Sequence, residues 1–290
     1  MNKLVKSGLS LMLAILFLFP VSAFADAQAG DVIVTLGKNL TAEQRAALLK
    51  EMDVNESADI VEVTNEEEHQ YLGSYISSRL IGTKALSSSK ITLGKKNSGL
   101  IVKTNNINWV SEEMYINALA TAGVKDAEIY VTAPFQVSGT AALTGIIKAY
   151  ELTSDEKIPE DVKQAANEEM VTAAELGDQI GTDEASALMT KIKEEISNNA
   201  PQTKEDVEKI VADSANDLNI SLTEEQKQTL TDLFNRLKEL DIDWGQVKDQ
   251  VSNAKDKLTE FFSSEEGQNF LDKLKEIINA VIDWFKELFK

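Results

Sequence analysis

The sequence predicts an α+β or α/β N-terminal domain, carrying a candidate duplicated strand-helix unit, followed by an all-α helical domain. Three observations predict it. Short β-branched runs alternate with amphipathic stretches as far as Tyr150, helices punctuated by caps take over beyond Leu152, and the charge divides at the same place. From Leu152 onward there are 32 acids against 16 bases, whereas residues 26–151 hold 16 acids and 11 bases. The ranges that follow are 1–25 for a leader, 26–151 for the mixed domain and 152–290 for the helical one, which ends in a helical hairpin (243–262 and 264–289).

The leader comes first. Lys3 and Lys6 form a basic start, Leu9 to Phe19 is apolar apart from Ser10, and Pro20 precedes the small-residue site Ala23-Phe24-Ala25. This reads as a secretory signal cleaved after Ala25. An uncleaved membrane anchor is the alternative, since Leu9 to Phe24 is nearly long enough to approach a span, but Pro20 and the Ala-x-Ala pattern favour cleavage.

In the mixed domain, Asp31 to Gly37 is a β-branched run ended by glycine, and Thr41 can cap a helix from Ala42 to Met52. Ala58 to Thr64 alternates as a strand should, and a helix from Asn65 to Ile76 follows with Tyr71, Leu72 and Ile76 on its buried side. The pattern then recurs. A shift of 70 residues places Val32 on Val102, Thr41 on Ser111, Glu43 on Glu113, Leu49 on Leu119 and Val54 on Val124. After a one-residue deletion, Ala58-Asp59-Ile60 falls on Ala127-Glu128-Ile129. Duplication and chance likeness between two short amphipathic units both explain this. Leu86 to Asn105, broken at Lys95-Lys-Asn-Ser-Gly99, is expected to form a hairpin. Asp126 to Tyr150 is the clearest strand-to-helix passage in the chain.

In the helical domain, Pro159 suits the first turn of a segment reaching Leu176, with Gly177 past its end. Thr182 opens the next helix, with Leu188, Ile192 and Ile196 on one face. Thr203 to Asp206 and Thr223 to Gln226 are capping boxes, and Leu230, Leu233, Phe234, Leu237 and Leu240 make one apolar stripe. The last helix carries more apolar surface than one seam needs, which suits burial, a membrane surface or a partner alike, and the balance of four acids and four lysines from Phe270 to Lys290 favours burial.

The chemistry is mostly one of exclusion. Without cysteine, the chain has no disulfide, thiolate metal site, thiol nucleophile or lipid-modified cysteine. The single histidine, His69, lies within Glu66-Glu-Glu-His-Gln70, where carboxylates favour imidazolium over a free base. Asp241-Ile-Asp243 lacks the acids of a calcium loop, so Asp243 reads as a helix cap. A formal net charge of -19 argues against nucleic acid. No catalytic residue, metal or cofactor is expected. Two binding candidates remain. Lys90, Lys95, Lys96 and Lys103 cluster as a site for an anionic envelope polymer, with edge protection as the plainer reading. Ser138, Gly139 and Thr140 precede a helix whose free amides suit an anion, with simple capping as the alternative.

Gly30 to Gly37, Ala122 to Asp126, Val131-Thr-Ala-Pro-Phe135, Ser138 to Gly145 and Asp243-Trp-Gly245 together make the sequence resemble the YpuA-like family of secreted Gram-positive proteins, a domain of unknown function. The resemblance spans essentially the whole chain and implies an exported protein of the cell envelope. It supplies no catalytic residues. The expectation is therefore a secreted, envelope-retained or extracellular protein with a non-enzymatic binding role, its partner a cell-wall polymer or an envelope protein. The alternative is a wall-polymer hydrolase or modifying enzyme acting through carboxylates that the sequence does not single out.

Overall fold

The structure, a computed structural model, describes residues 28–54, 58–72, 81–154 and 157–252. The elements in chain order are β1 (Val32–Gly37), α1 (Ala42–Glu51), β2 (Asp59–Val63), α2 (Asn65–Leu72), β3 (Ser88–Leu93), β4 (Leu100–Ile107), α3 (Glu112–Thr121), β5 (Ala127–Val137), α4 (Thr140–Ser154), α5 (Glu160–Ile180), α6 (Thr182–Asn199), α7 (Lys204–Asp217) and α8 (Glu224–Glu239). Residues 244–252 are helical as well. The leader, and the expected C-terminal hairpin beyond residue 252, lie outside the described residues.

The helices start where the caps direct. Thr41 and Thr223 each close a capping box with a glutamine three residues on, and Thr203 does so with Asp206. Each box satisfies amides that the first turn leaves without partners. Asp243 Oδ1 accepts from the Gln246 amide at 3.0 Å, as a cap rather than a calcium ligand does.

The strands form one mixed sheet in the order β2-β1-β3-β5-β4. β1 pairs parallel with β2 and β4 parallel with β5, while β3 is antiparallel to both β1 and β5. The expected hairpin between β3 and β4 is therefore wrong, because β5 lies between them. The polar break straddles the start of that strand. Gly94 N donates to Asp126 O at 2.6 Å, Gly99 N to Asp126 Oδ1 at 2.9 Å, and Ala127 N to Gly99 O at 3.2 Å. Pro134, which cannot donate to a ladder, falls beyond the last β3 partner of β5, Thr132.

The two strand-helix units correspond at their helix ends. Thr41 and Ser111 are both side-chain N-caps, and Val54 N→Leu49 O and Val124 N→Leu119 O close the two helices at the same offset, each at 2.9 Å. They do not superpose as rigid copies. Val34 and Leu36 meet α1 through Leu48, Leu49 and Met52. Ile33, Ile91, Ile129 and Val102 fall side by side on the opposite face, in the cluster that contains α3 and α4.

That cluster continues through α5, α6, α7 and α8 to Val251, so the apolar core is unbroken across residue 151, which itself lies inside α4. Leu188, Ile192 and Ile196, and Leu230, Leu233, Phe234 and Leu237, are all buried as their spacing predicts. Each such side chain contributes about 1.5–3 kcal/mol of transfer free energy. One expected helix end moves: α5 runs on through Gly177 and stops at Gly181. Gly177 instead lies where α3 comes close, since a Cβ there would stand 3.2 Å from Met114 Cε.

The helical layer is registered by a fully buried ion pair. Lys193 Nζ of α6 meets Glu169 Oε1 of α5 at 2.5 Å and donates to Asn117 O and Thr121 Oγ1 of α3 at 2.6 and 2.7 Å. Thr121 Oγ1 in turn donates to Glu169 Oε2 at 2.6 Å. Burial pulls the Lys193 ammonium downward and the Glu169 carboxylate opposes it, leaving the net direction down.

Candidate functional site

The first turn of α2 fixes the site. Thr64 Oγ1 accepts from Glu67 N at 3.2 Å, and Glu67 Oε2 accepts from Thr64 N at 2.8 Å, a reciprocal cap that sets the rotation of the helix. Glu67 then points toward Lys148, at 2.5 Å. Glu68, the next residue, turns inward with Leu72 one turn later, and is only 1% exposed.

Glu68 lies beneath a cleft of about 390 Å³, bounded by the chain before β3, the C-terminal end of β5 and the start of α4. Its Oε1 accepts from Thr140 Oγ1 at 3.0 Å and its Oε2 from Asn65 Nδ2 at 3.2 Å. Burial pushes the Glu68 carboxyl up, the Asn65 and Thr140 bonds oppose it, and the balance lies at about 7. Ser138 Oγ is 3.3 Å from Thr140 Oγ1. Tyr115, fully buried, donates to Gly139 O at 2.6 Å. Gly139 is irreplaceable there: its φ is +98°, and a Cβ would stand 2.4 Å from Tyr115 Oη and 2.6 Å from Ile107 Cγ2. Lys84 and Phe135 line the outer part, and Phe135 is 51% exposed.

Ser138, Gly139 and Thr140 are thus brought together with a carboxyl that the sequence reading missed. A bound anion would face Glu68, and the Thr140 hydroxyl is directed to that residue. The signal that marks Glu68 was present in the spacing, four residues before the buried Leu72. His69 is half-buried, its Nε2 donating to Gly82 O at 3.1 Å, which ties it to the loop of the cleft. Among the described residues, Glu68 is the one carboxyl lining this cleft. At neutral pH it can both give and take a hydrogen bond, which suits hydroxyl-bearing ligands, but a second carboxylate for hydrolysis is not beside it.

The lysines lie elsewhere. Lys90, Tyr130 and Lys103 are neighbours across β3, β5 and β4 on the face that carries α1. Lys90 Nζ donates to Met52 O at 2.8 Å, at the end of α1. Glu51 accepts from Tyr130, Thr132 and Asn105 on the same face, at 2.7 to 3.0 Å, so the surface there is mixed in sign. Lys95 and Lys96 are exposed in the loop that straddles β5. A larger groove, about 580 Å³, runs between α6 and α7, but Glu195, Asp206, Asp213 and Asp217 line it and it contains no buried titratable group.

No helix among the described residues is long and apolar enough to cross a membrane, and no cluster of three or more His, Asp or Glu there could hold a metal ion. No solved structure matches the chain. It is 56% identical over 284 residues to the uncharacterized protein YpuA of Bacillus subtilis (strain 168), an alignment covering 96% of this chain and 98% of that one. Residues 36–254, which contain the whole Glu68 cleft, match the family described as "Protein of unknown function (DUF1002)". On that match and on the near full-length identity to YpuA, the chain belongs to the DUF1002 family.

Proposed function

We propose that this protein is an exported, non-enzymatic binding protein of the cell envelope, and that it holds a hydroxyl-rich wall polymer in the Glu68 cleft. The observation that carries this reading is the pairing of a buried, hydrogen-bonded carboxyl with the hydroxyls of Ser138 and Thr140 beneath an exposed Phe135. An aromatic face at the rim and convergent polar groups below are what a sugar ring requires, since its two faces are apolar and its edge is not. Export rests on the leader, with its Ala23-Phe24-Ala25 cleavage pattern. The hydrolase alternative lacks its second carboxylate: Glu67 is committed to Lys148 on the other side of α2.

Retention on purified cell walls, with and without their anionic polymers removed, tests the proposal. Wild-type protein is expected to be retained on both preparations, Phe135→Ala to be lost from both, and a variant with Lys90, Lys95, Lys96 and Lys103 all changed to alanine to be retained. Retention that survives Phe135→Ala and disappears in the lysine variant would transfer the site to the lysines. No retention of wild type would end the proposal, and release of soluble wall fragments would favour the hydrolase.

A further inference from the structure

A second, smaller cavity lies on the other side of α2, where that helix meets α4 and α5. It holds about 160 Å³. Two lysines and two glutamates line it, paired as Lys148–Glu67 at 2.5 Å and Lys163–Glu151 at 3.0 Å, and Lys163 Nζ also meets Glu160 Oε2, outside the lining, at 3.4 Å. The second pair is the less exposed: the Lys148 and Glu67 side chains are 38% and 29% exposed, and those of Lys163 and Glu151 are 13% and 19%. Thr144 and Asn167, which also line the cavity, are 3% and 1% exposed. Thr144 Oγ1 and Asn167 Oδ1 have no hydrogen-bond partner in the protein. Buried polar atoms left in that condition cost about 1–3 kcal/mol each, and a fold that needed only packing would place apolar groups there.

We infer that this cavity is a binding site for a small zwitterion of the α-amino acid class. The inference does not depend on the reading of the Glu68 cleft. Its charges cancel within the cavity, so a ligand of either net sign would bring an uncompensated charge into a half-buried space. A zwitterion brings one charge of each sign and can set its carboxylate toward a lysine and its ammonium toward a glutamate. The ammonium is also the donor that Asn167 Oδ1 lacks, and the Thr144 hydroxyl supplies a donor to a carboxylate. The room available is about five water molecules' worth, enough to admit a small amino acid such as alanine.

Calorimetric titration of the purified protein with L-alanine, beside propionate and ethylamine as its two charged halves, tests the inference. One-to-one saturable binding of L-alanine is expected, with neither half binding as well. Thr144→Val, which removes the hydroxyl at nearly constant volume, is expected to weaken that binding by about tenfold or more, the worth of one hydrogen bond, while leaving the melting temperature unchanged or higher. Absence of saturable binding, equal binding by either half, or an unaltered affinity in Thr144→Val would each overturn it, leaving the cavity a site for solvent alone.

Discussion

Glu68→Gln isolates the energetic consequence of the buried carboxyl. In the folded protein its value is about 7, against an ordinary 4.5. A carboxyl raised in this way binds its proton more tightly folded than unfolded, so its contribution to stability is complete below about 4.5 and is lost as the pH rises toward 7. At about 1.4 kcal/mol per pH unit of difference, the loss amounts to about 3 kcal/mol across that window. Glutamine mimics the protonated acid and does not titrate. Urea denaturation of wild type and Glu68→Gln at a series of pH values between 4.5 and 7.5 reads this directly. The difference in stability between the two proteins is expected to change by about 3 kcal/mol over the series, with the variant gaining relative to wild type as pH rises. Two parallel profiles would refute the reasoning, because they would mean that Glu68 ionises in the fold as easily as in the unfolded chain.

Two further predictions concern the frame that supports the cleft. Lys193→Met leaves Glu169 buried without its cation and is expected to cost about 3–5 kcal/mol in chemical denaturation, whereas Lys193→Met combined with Glu169→Leu should recover much of that loss. Gly37→Ala places a Cβ 2.3 Å from Ala85 O, a backbone atom that has to be displaced. It is expected to destabilise by about 1–3 kcal/mol in thermal or urea unfolding, and a neutral result would mean that the loop before β3 yields to the added methyl without cost.

Local chemistry was the legible part of the sequence. Thr41, Thr203, Thr223 and Asp243 each sit at a cap because a side-chain oxygen and an amide three residues on suffice to make one. The stripes of α6 and α8 were equally plain, since helical periodicity is a short-range signal. Strand partnership was not. Nothing in Ile91 to Leu93 or Leu100 to Val102 states that residues 127–132 will lie between them, because pairing order is set by the whole sheet. The candidate site was half legible. Ser138 to Thr140 stood out as a helix start, while Glu68, amid a run of three glutamates, was marked only by its spacing of four residues from Leu72. Its burial depends on the rotation of α2, which follows from the Thr64–Glu67 cap and from Thr140, a residue 72 positions away.

The insertion of β5 between β3 and β4 also constrains how the molecule assembles. β3 and β4 are the two strands nearest each other in the sequence, joined by a polar break that favours turning, so their quickest encounter is a direct pairing that the finished sheet forbids. The correct sheet has to wait until Ala127–Val137 is available, and any β3–β4 hairpin formed before then would have to open to admit that strand. Refolding should accordingly show a slow phase that shortens when the direct pairing is disfavoured, and the loop 94–99, anchored to Asp126 in the native state, is where such a change can be made without touching either cavity.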